Sequence, residues 1–208
     1  MSIENRRSKE KESRRKAILA AAEKRFAQEG FHATTLEQVA DDIDISKATI
    51  YLYFTNKEEL LFSILEGKFE RYIRHIQGKL EGVGSLHEAI TEMVTEGLQF
   101  LKKNHHFFRL AMVEQSKFEQ TLSHETRQRF IHQQLEFLSL IKNTFAAHMK
   151  QASIISYSPM SLALCVNGAI TTHMMNWLVT GGKISLDKAR EDILTILFHG
   201  CLGSPGNL

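Results

Sequence analysis

Between Thr35 and Phe54 the chain reads Thr-Leu-Glu-Gln-Val-Ala-Asp-Asp-Ile-Asp-Ile-Ser-Lys-Ala-Thr-Ile-Tyr-Leu-Tyr-Phe, and that stretch leaves few choices of fold. Thr34 and Thr35 offer overlapping capping boxes, Thr34 with Glu37 and Thr35 with Gln38. In such a box two side chains satisfy backbone N–H groups that a helix start leaves open. Leu36, Val39, Ala40 and Ile43 then recur at helical spacing as a short buried face. Asp44 falls where the chain must turn sharply, which predicts a left-handed residue. Asp is one of the few side chains besides glycine that accept that backbone. Ser46 caps a second helix, in which Ile50 and Phe54 point inward, four apart. Two short capped helices joined by a tight turn form a helix-turn-helix, which seats its second helix in the DNA major groove.

The outer face of that second helix has the groups such a role needs. Ser46 presents a hydroxyl and N–H groups to phosphate at the positive helix end. Lys47 reaches phosphate or a guanine edge. Ala48 is small and allows close approach to the bases. Thr49 offers a hydroxyl and a methyl. Tyr51 and Tyr53 flank the groove and can hydrogen-bond phosphates. Lys57 opens the next helix, where it can clamp a phosphate. Any one of them taken singly is equally well a half-buried aromatic or a solvated charge. The assembled pattern is not.

The rest of the chain reads as all-α. Among 208 residues there are two prolines, Pro159 and Pro205, and apolar residues make up 43%, enough for a core. A first helix is expected from about Lys9 to Gln28, with Ile18, Ala22 and Phe26 on one face. Gly30 should end it, with Phe31 packing back. A long helix from Asn56 to about Leu80, started by an Asn56–Glu59 capping box, follows without a linker. That continuity suggests mechanical coupling between a helix-turn-helix domain over residues 9–56 and a helical domain over residues 57–204. Further helices are expected at about 86–103, 105–118, 123–150, 159–180 and 186–202. Their candidate caps are Ser85, Asn104, Ser123, Ser158 and Ser185, with Ser158-Pro159 a strong start and Thr180-Gly181-Gly182 a strong stop. About nine helices result.

The net charge of +2 conceals an asymmetry. Residues 1–25 carry nine Lys or Arg against four Glu, whereas residues 26–65 carry two Lys against seven acids. The basic N-terminal arm suits a phosphate backbone or another polyanion; a solubilising, disordered tail is the alternative. Cys165 and Cys201 are too few for a disulfide framework. No signal peptide is visible, and Asn167, His173 and Asn176 argue against a membrane span over 159–180. The expected location is the cytoplasm, at the nucleoid when bound.

Taken together, Ile18-Leu19-Ala20-Ala21-Ala22 with Phe26 and Gly30-Phe31, Thr34 to Ala40, Ile45 to Phe54, and Asn56-Lys57-Glu58-Glu59-Leu60-Leu61 resemble the TetR/AcrR transcriptional regulators. The resemblance covers about residues 12–62. It implies a homodimer, usually a repressor, released from a palindromic operator by a small ligand held in the C-terminal domain. Carried over by position, it implies that Thr35 caps the second helix beside the DNA backbone. Ser46, Lys47, Ala48, Thr49, Tyr51 and Leu52 would line the groove side, and Tyr53 and Lys57 would contact phosphate. Asp44 stands where the family usually has glycine. Leu52 replaces a frequent His, Tyr or Asn; it can touch thymine methyls but cannot hydrogen-bond, so operator preference should differ.

In the C-terminal half, Phe100, Phe107, Phe108, Met112, Phe137, Met174 and Trp177 are candidates for lining a pocket for a fatty acyl compound, a drug or an aromatic. Each is also an ordinary core residue in a plain helical bundle. Leu162, Val166, Ala169 and His173, with Ile193, Leu197 and Cys201, form stripes on the last two helices. The resemblance makes those stripes a dimer surface; otherwise they face their own core. His105-His106 lacks metal-ligand spacing, and no nucleophile elbow or phosphate loop occurs, so neither enzyme activity, nor a cofactor, nor a metal is expected. An activator or ligand-corepressed regulator of the same fold is the alternative. An adaptor or enzyme with a vestigial head is more remote, since such a head has no need of Lys47, Thr49 and Tyr51.

Overall fold

The computed structural model describes residues 3–113, 122–151 and 157–200, which form eight helices and no strand. They are α1 (Ile3–Gln28), α2 (Leu36–Asp41), α3 (Lys47–Tyr51), α4 (Lys57–Leu80), α5 (Leu86–Val113), α6 (His124–Gln151), α7 (Pro159–Val179) and α8 (Leu186–His199). Contacts group the chain into two units. The first holds the residues up to Lys68 with the described residues between Arg109 and Arg127, and the second holds the remainder. α4 starts in the first unit and ends in the second without a break.

In the first unit, α1 buries Ile18, Ala22 and Phe26. It ends at Gly30, whose φ of 87° turns the chain so that Phe31 packs edge-on against Phe26 at 5.2 Å between ring centroids. Of the two overlapping boxes at Thr34 and Thr35, the second forms. Thr35 Oγ1 accepts from the Gln38 N–H at 3.2 Å, and the Thr35 N–H donates to Gln38 Oε1 at 2.7 Å. Thr34 is fully buried and donates its hydroxyl backward to the Gly30 carbonyl at 2.8 Å, which leaves it no role at the start of α2. Arg25 Nε and Nη2 each donate to a different carboxylate oxygen of Asp42, both at 2.7 Å. That fork ties α1 to the end of α2, and with it Arg25 holds the Asp42 carboxyl below its ordinary range.

The second unit is built on Tyr72, Ile76, Met93, Val94, Phe137, Ile141, Phe145, Val166 and Ile193. Two of its helix pairs can be read in register. His75 of α4 meets Glu96 of α5 at 2.9 Å, and Lys79 reaches Glu96 at 3.4 Å. His87 of α5 stacks on Phe198 of α8 at 3.9 Å, and Arg190 Nε donates to Thr95 Oγ1 at 2.7 Å, so α5 and α8 run antiparallel. Gly97 allows α5 its closest approach, since a Cβ there would stand 2.9 Å from Ile170 Cγ2 and 3.1 Å from Tyr72 Oη.

Ser85, Ser123, Ser158 and Ser185 each accept from the N–H three residues on, as their sequence positions predict. Asn104 does not cap. It is buried, and its amide donates back to the Phe100 carbonyl at 2.8 Å. The expected separate helix from 105 is therefore the continuation of α5, and the rest of that helix, to 118, lies outside the described residues.

Candidate nucleic-acid interface

The first unit orients α3 by burying one side of it completely: Ile50 is 0% exposed and Phe54 1%. The turn before it is closed by the Asp44 and Ile45 N–H groups, which donate to the Asp41 and Ala40 carbonyls, with Asp44 in the left-handed region at φ 53°. Ser46 Oγ accepts from the Thr49 N–H at 3.1 Å and lies 2.9 Å from Thr49 Oγ1, so the two hydroxyls are held together at the start of α3. The opposite side faces solvent. Ser46, Lys47 and Ala48 are exposed, Thr49 and Tyr53 half so; Tyr51 is 48% exposed and Leu52 78%.

Lys47 is not a loose charge. Its ammonium pairs with Glu37 on α2 and lies 5.8 Å above the Tyr51 ring. The hydrogen bond with Glu37 raises the lysine's pKa and lowers that of the glutamate. Glu37 thus places and partly neutralises the lysine, a role the sequence reading missed because it assigned Glu37 to the Thr34 box.

Lys57 also has protein partners. Its Nζ donates to the Phe31 carbonyl at 2.8 Å and the Thr34 carbonyl at 2.9 Å, and sits 4.5 Å over the Phe31 ring. It pins the start of α4 to the segment between α1 and α2. Nearby, Asn56 Oδ1 accepts from the Glu59 N–H at 2.7 Å, while Glu59 takes the Thr55 N–H at 2.7 Å and reaches Thr126 Oγ1 at 3.5 Å.

A family model described as bacterial regulatory proteins, tetR family, matches residues 18–64. A second, described as the YsiA-like protein, C-terminal region, matches residues 65–200, more than half of the chain. The chain belongs to the TetR family. It is a DNA-binding transcriptional regulator with an all-α fold and an N-terminal helix-turn-helix. Across 193 residues, 92% of this TetR-family chain and 97% of the relative, it is 23% identical to the fatty acid metabolism regulator protein of Bacillus subtilis (strain 168). It is 26% identical over 201 residues to the HTH-type transcriptional repressor KstR2 of Rhodococcus jostii (strain RHA1), covering 95% of each. The structure of the transcriptional regulator FadR from Bacillus subtilis in complex with stearoyl-CoA superposes with a TM-score of 0.69 at 22% identity, covering 89% of this chain and 98% of that one.

In the second unit of this TetR-family protein, part of the candidate pocket set is gathered around a residue the sequence reading passed over. Tyr72 stacks on Phe100 at 4.4 Å and lies 5.5 Å from Phe137, and Phe100 meets Phe108 edge-on at 5.7 Å. Burial pushes the Tyr72 phenol far up, with the Glu96 charge adding to it. Phe107 is buried and Met174 half-buried; Trp177 lies 5.6 Å from His105 and under Gly182. Met112 belongs to the first unit. The helical period alone could not single out Tyr72, because it marks a face without saying which ring is central.

Two residues of the candidate dimer stripes are buried in their own unit and the other described ones are half-buried. Val166 and Ile193 are in the core, and Leu162, Ala169 and Leu197 pack against it. A His173 ring nitrogen lies 2.8 Å from the Ala169 carbonyl, and Cys201 lies outside the described residues. The large apolar residues left exposed on these helices are Met160, Leu164, Met175 and Val179 of α7 and Ile196 of α8. No described helix is long and apolar enough to cross a membrane, and no cluster of three or more His, Cys, Asp or Glu among the described residues has metal-binding geometry.

Proposed function

We propose that this TetR-family protein is a homodimeric, cytoplasmic repressor whose Ser46–Leu52 face enters the major groove of a palindromic operator. An acyl-coenzyme A or related fatty acyl compound held in the second unit would release it. The observation that carries the DNA reading is the two-sidedness of α3: Ile50 and Phe54 anchor it, and Tyr51 and Leu52 are left out in solvent. Half-sites about 34–36 Å apart, or a multiple of that, fit one recognition helix per protomer. Support for the effector comes from the relative named for fatty acid metabolism and the neighbour solved with stearoyl-CoA. The cluster of Tyr72, Phe100, Phe108 and Phe137 offers apolar surface of the right kind. The exposed apolar residues of α7 and α8 support dimer formation through these helices.

A 100-fold loss of operator affinity requires about 2.7 kcal/mol of coupling between effector and DNA sites, within the usual allosteric range. A mobility-shift titration on the gene's own upstream duplex tests both halves. A sequence-specific complex that long-chain acyl-coenzyme A dissolves is expected. Absence of any specific complex removes the DNA reading; a complex indifferent to acyl-coenzyme A and free fatty acid removes the effector.

A further inference from the structure

α1 begins at Ile3, well before its first core residue, Ile18. Residues 5–14 are all exposed, so this part of the helix covers nothing in its own unit. Arg7, Lys11 and Arg14 fall on one face at helical spacing, and that face continues into Ile18 and Ala22, the residues that seat α1 in the head. Arg15 closes the junction, its guanidinium 5.2 Å over the Phe54 ring and Nη2 donating to Ser63 Oγ at 3.4 Å. The two acids between residues 5 and 14 are engaged elsewhere: Glu10 pairs with Arg6 at 2.9 Å and Glu12 with Lys16 at 3.5 Å. Arg7, Lys11 and Arg14 have no ion pair among the described residues. Three uncompensated cations in line, on a helix with nothing to cover, are more than solubility requires.

We infer that this stripe is a second DNA contact, lying along the phosphate backbone beside the base-reading helix. The inference rests on the DNA reading above and adds a named surface to it. From Arg7 to Arg14 the stripe spans roughly 10 Å at 1.5 Å per residue, about three phosphate spacings along one strand. Such contacts carry no sequence information, so the arm adds affinity equally to operator and unrelated duplex.

The test is the salt dependence of binding by the full-length protein, wild type against Arg7→Gln/Lys11→Gln/Arg14→Gln. Glutamine keeps helix propensity, and all three positions are exposed. Each phosphate contact adds about 0.9 to the slope of log K against log salt, so the triple variant should lose about 2 to 2.7. Between 50 and 200 mM salt the wild type should then weaken roughly 15- to 40-fold more than the variant, on operator and scrambled duplex alike. Lys9→Gln, off this face, should leave the slope unchanged, and Arg7→Lys/Arg14→Lys should preserve it. A triple-variant slope within half a unit of wild type overturns the proposal, as does a Lys9→Gln loss equal to that of a stripe residue. Wild-type capture by anionic vesicles with an unchanged DNA slope overturns it in favour of a membrane surface. A wild type that forms no operator complex defeats the regulatory reading itself, a separate outcome.

Discussion

Lys57 gives the sharpest mechanical prediction, because its ammonium ties the start of α4 to the segment between α1 and α2. Replacing it by methionine keeps the stem on the Phe31 ring and removes the donors at 2.8 and 2.9 Å to the Phe31 and Thr34 carbonyls. A charge-assisted hydrogen bond is worth about 1.5–3 kcal/mol. The site is only half-buried, so the pair together should contribute about 2–4 kcal/mol. At roughly 2–4 °C per kcal/mol for a chain of this size, Tm should fall by about 5–15 °C, read by circular dichroism with a urea titration as a check. Because two of its three donors are already committed, Lys57 can give phosphate at most one, and the DNA salt slope should fall by no more than about 0.9. An unchanged Tm with a slope lowered by a full unit would show that the lysine is a phosphate contact and not a pin.

Other substitutions probe separate parts of the molecule. Glu37→Gln removes the carboxylate that partly neutralises Lys47, so binding to any duplex should tighten at low salt and the slope should steepen by up to about one unit; unchanged binding would mean that Lys47 never faces DNA. The Asp42 carboxyl is held down by Arg25, so its contribution is complete above the ordinary carboxylate range, about pH 4, and is lost as pH falls through the depressed value. Arg25→Met should therefore flatten the acid limb of the stability profile below pH 4, and an acid limb identical to wild type would contradict this. Gly97→Ala drives a methyl to 2.9 Å from Ile170, which should cost about 1–3 kcal/mol in denaturant unfolding; a neutral result would mean that α5 and α7 separate easily.

The head was legible because its signals are local. A cap, a left-handed turn and inward positions four apart concern residues within one or two turns of each other, and Thr35, Asp44, Ser46, Ile50 and Phe54 are placed as their neighbours dictate. What failed to show depends on burial or on partners distant in sequence. Thr34 and Thr35 compete for one helix start, and the choice is made by Gly30, whose carbonyl takes the Thr34 hydroxyl. Asn104 has the identity of a cap, but burial turns its amide back into the preceding turn. Lys57 reads as a free cation until the fold brings two carbonyls under it. The same limit applies in the second unit. Helical period puts Val166 and Ile193 on the apolar stripes of their two helices but cannot say whether those stripes meet their own core or another chain, and both residues are buried in their own core. Tyr72 gathers its rings from α4, α5 and α6, a meeting no spacing encodes.

The central claim is that the exposed face of α3 reads bases. Its most direct test is the ratio of affinities for the upstream operator and a scrambled duplex at one salt concentration, in wild type and in Thr49→Ala. Loss of a base contact costs about 1–3 kcal/mol, so operator affinity should fall roughly 5- to 150-fold while scrambled-duplex affinity stays constant. An equal fall on both duplexes, or a wild type that does not prefer its operator, would contradict the account.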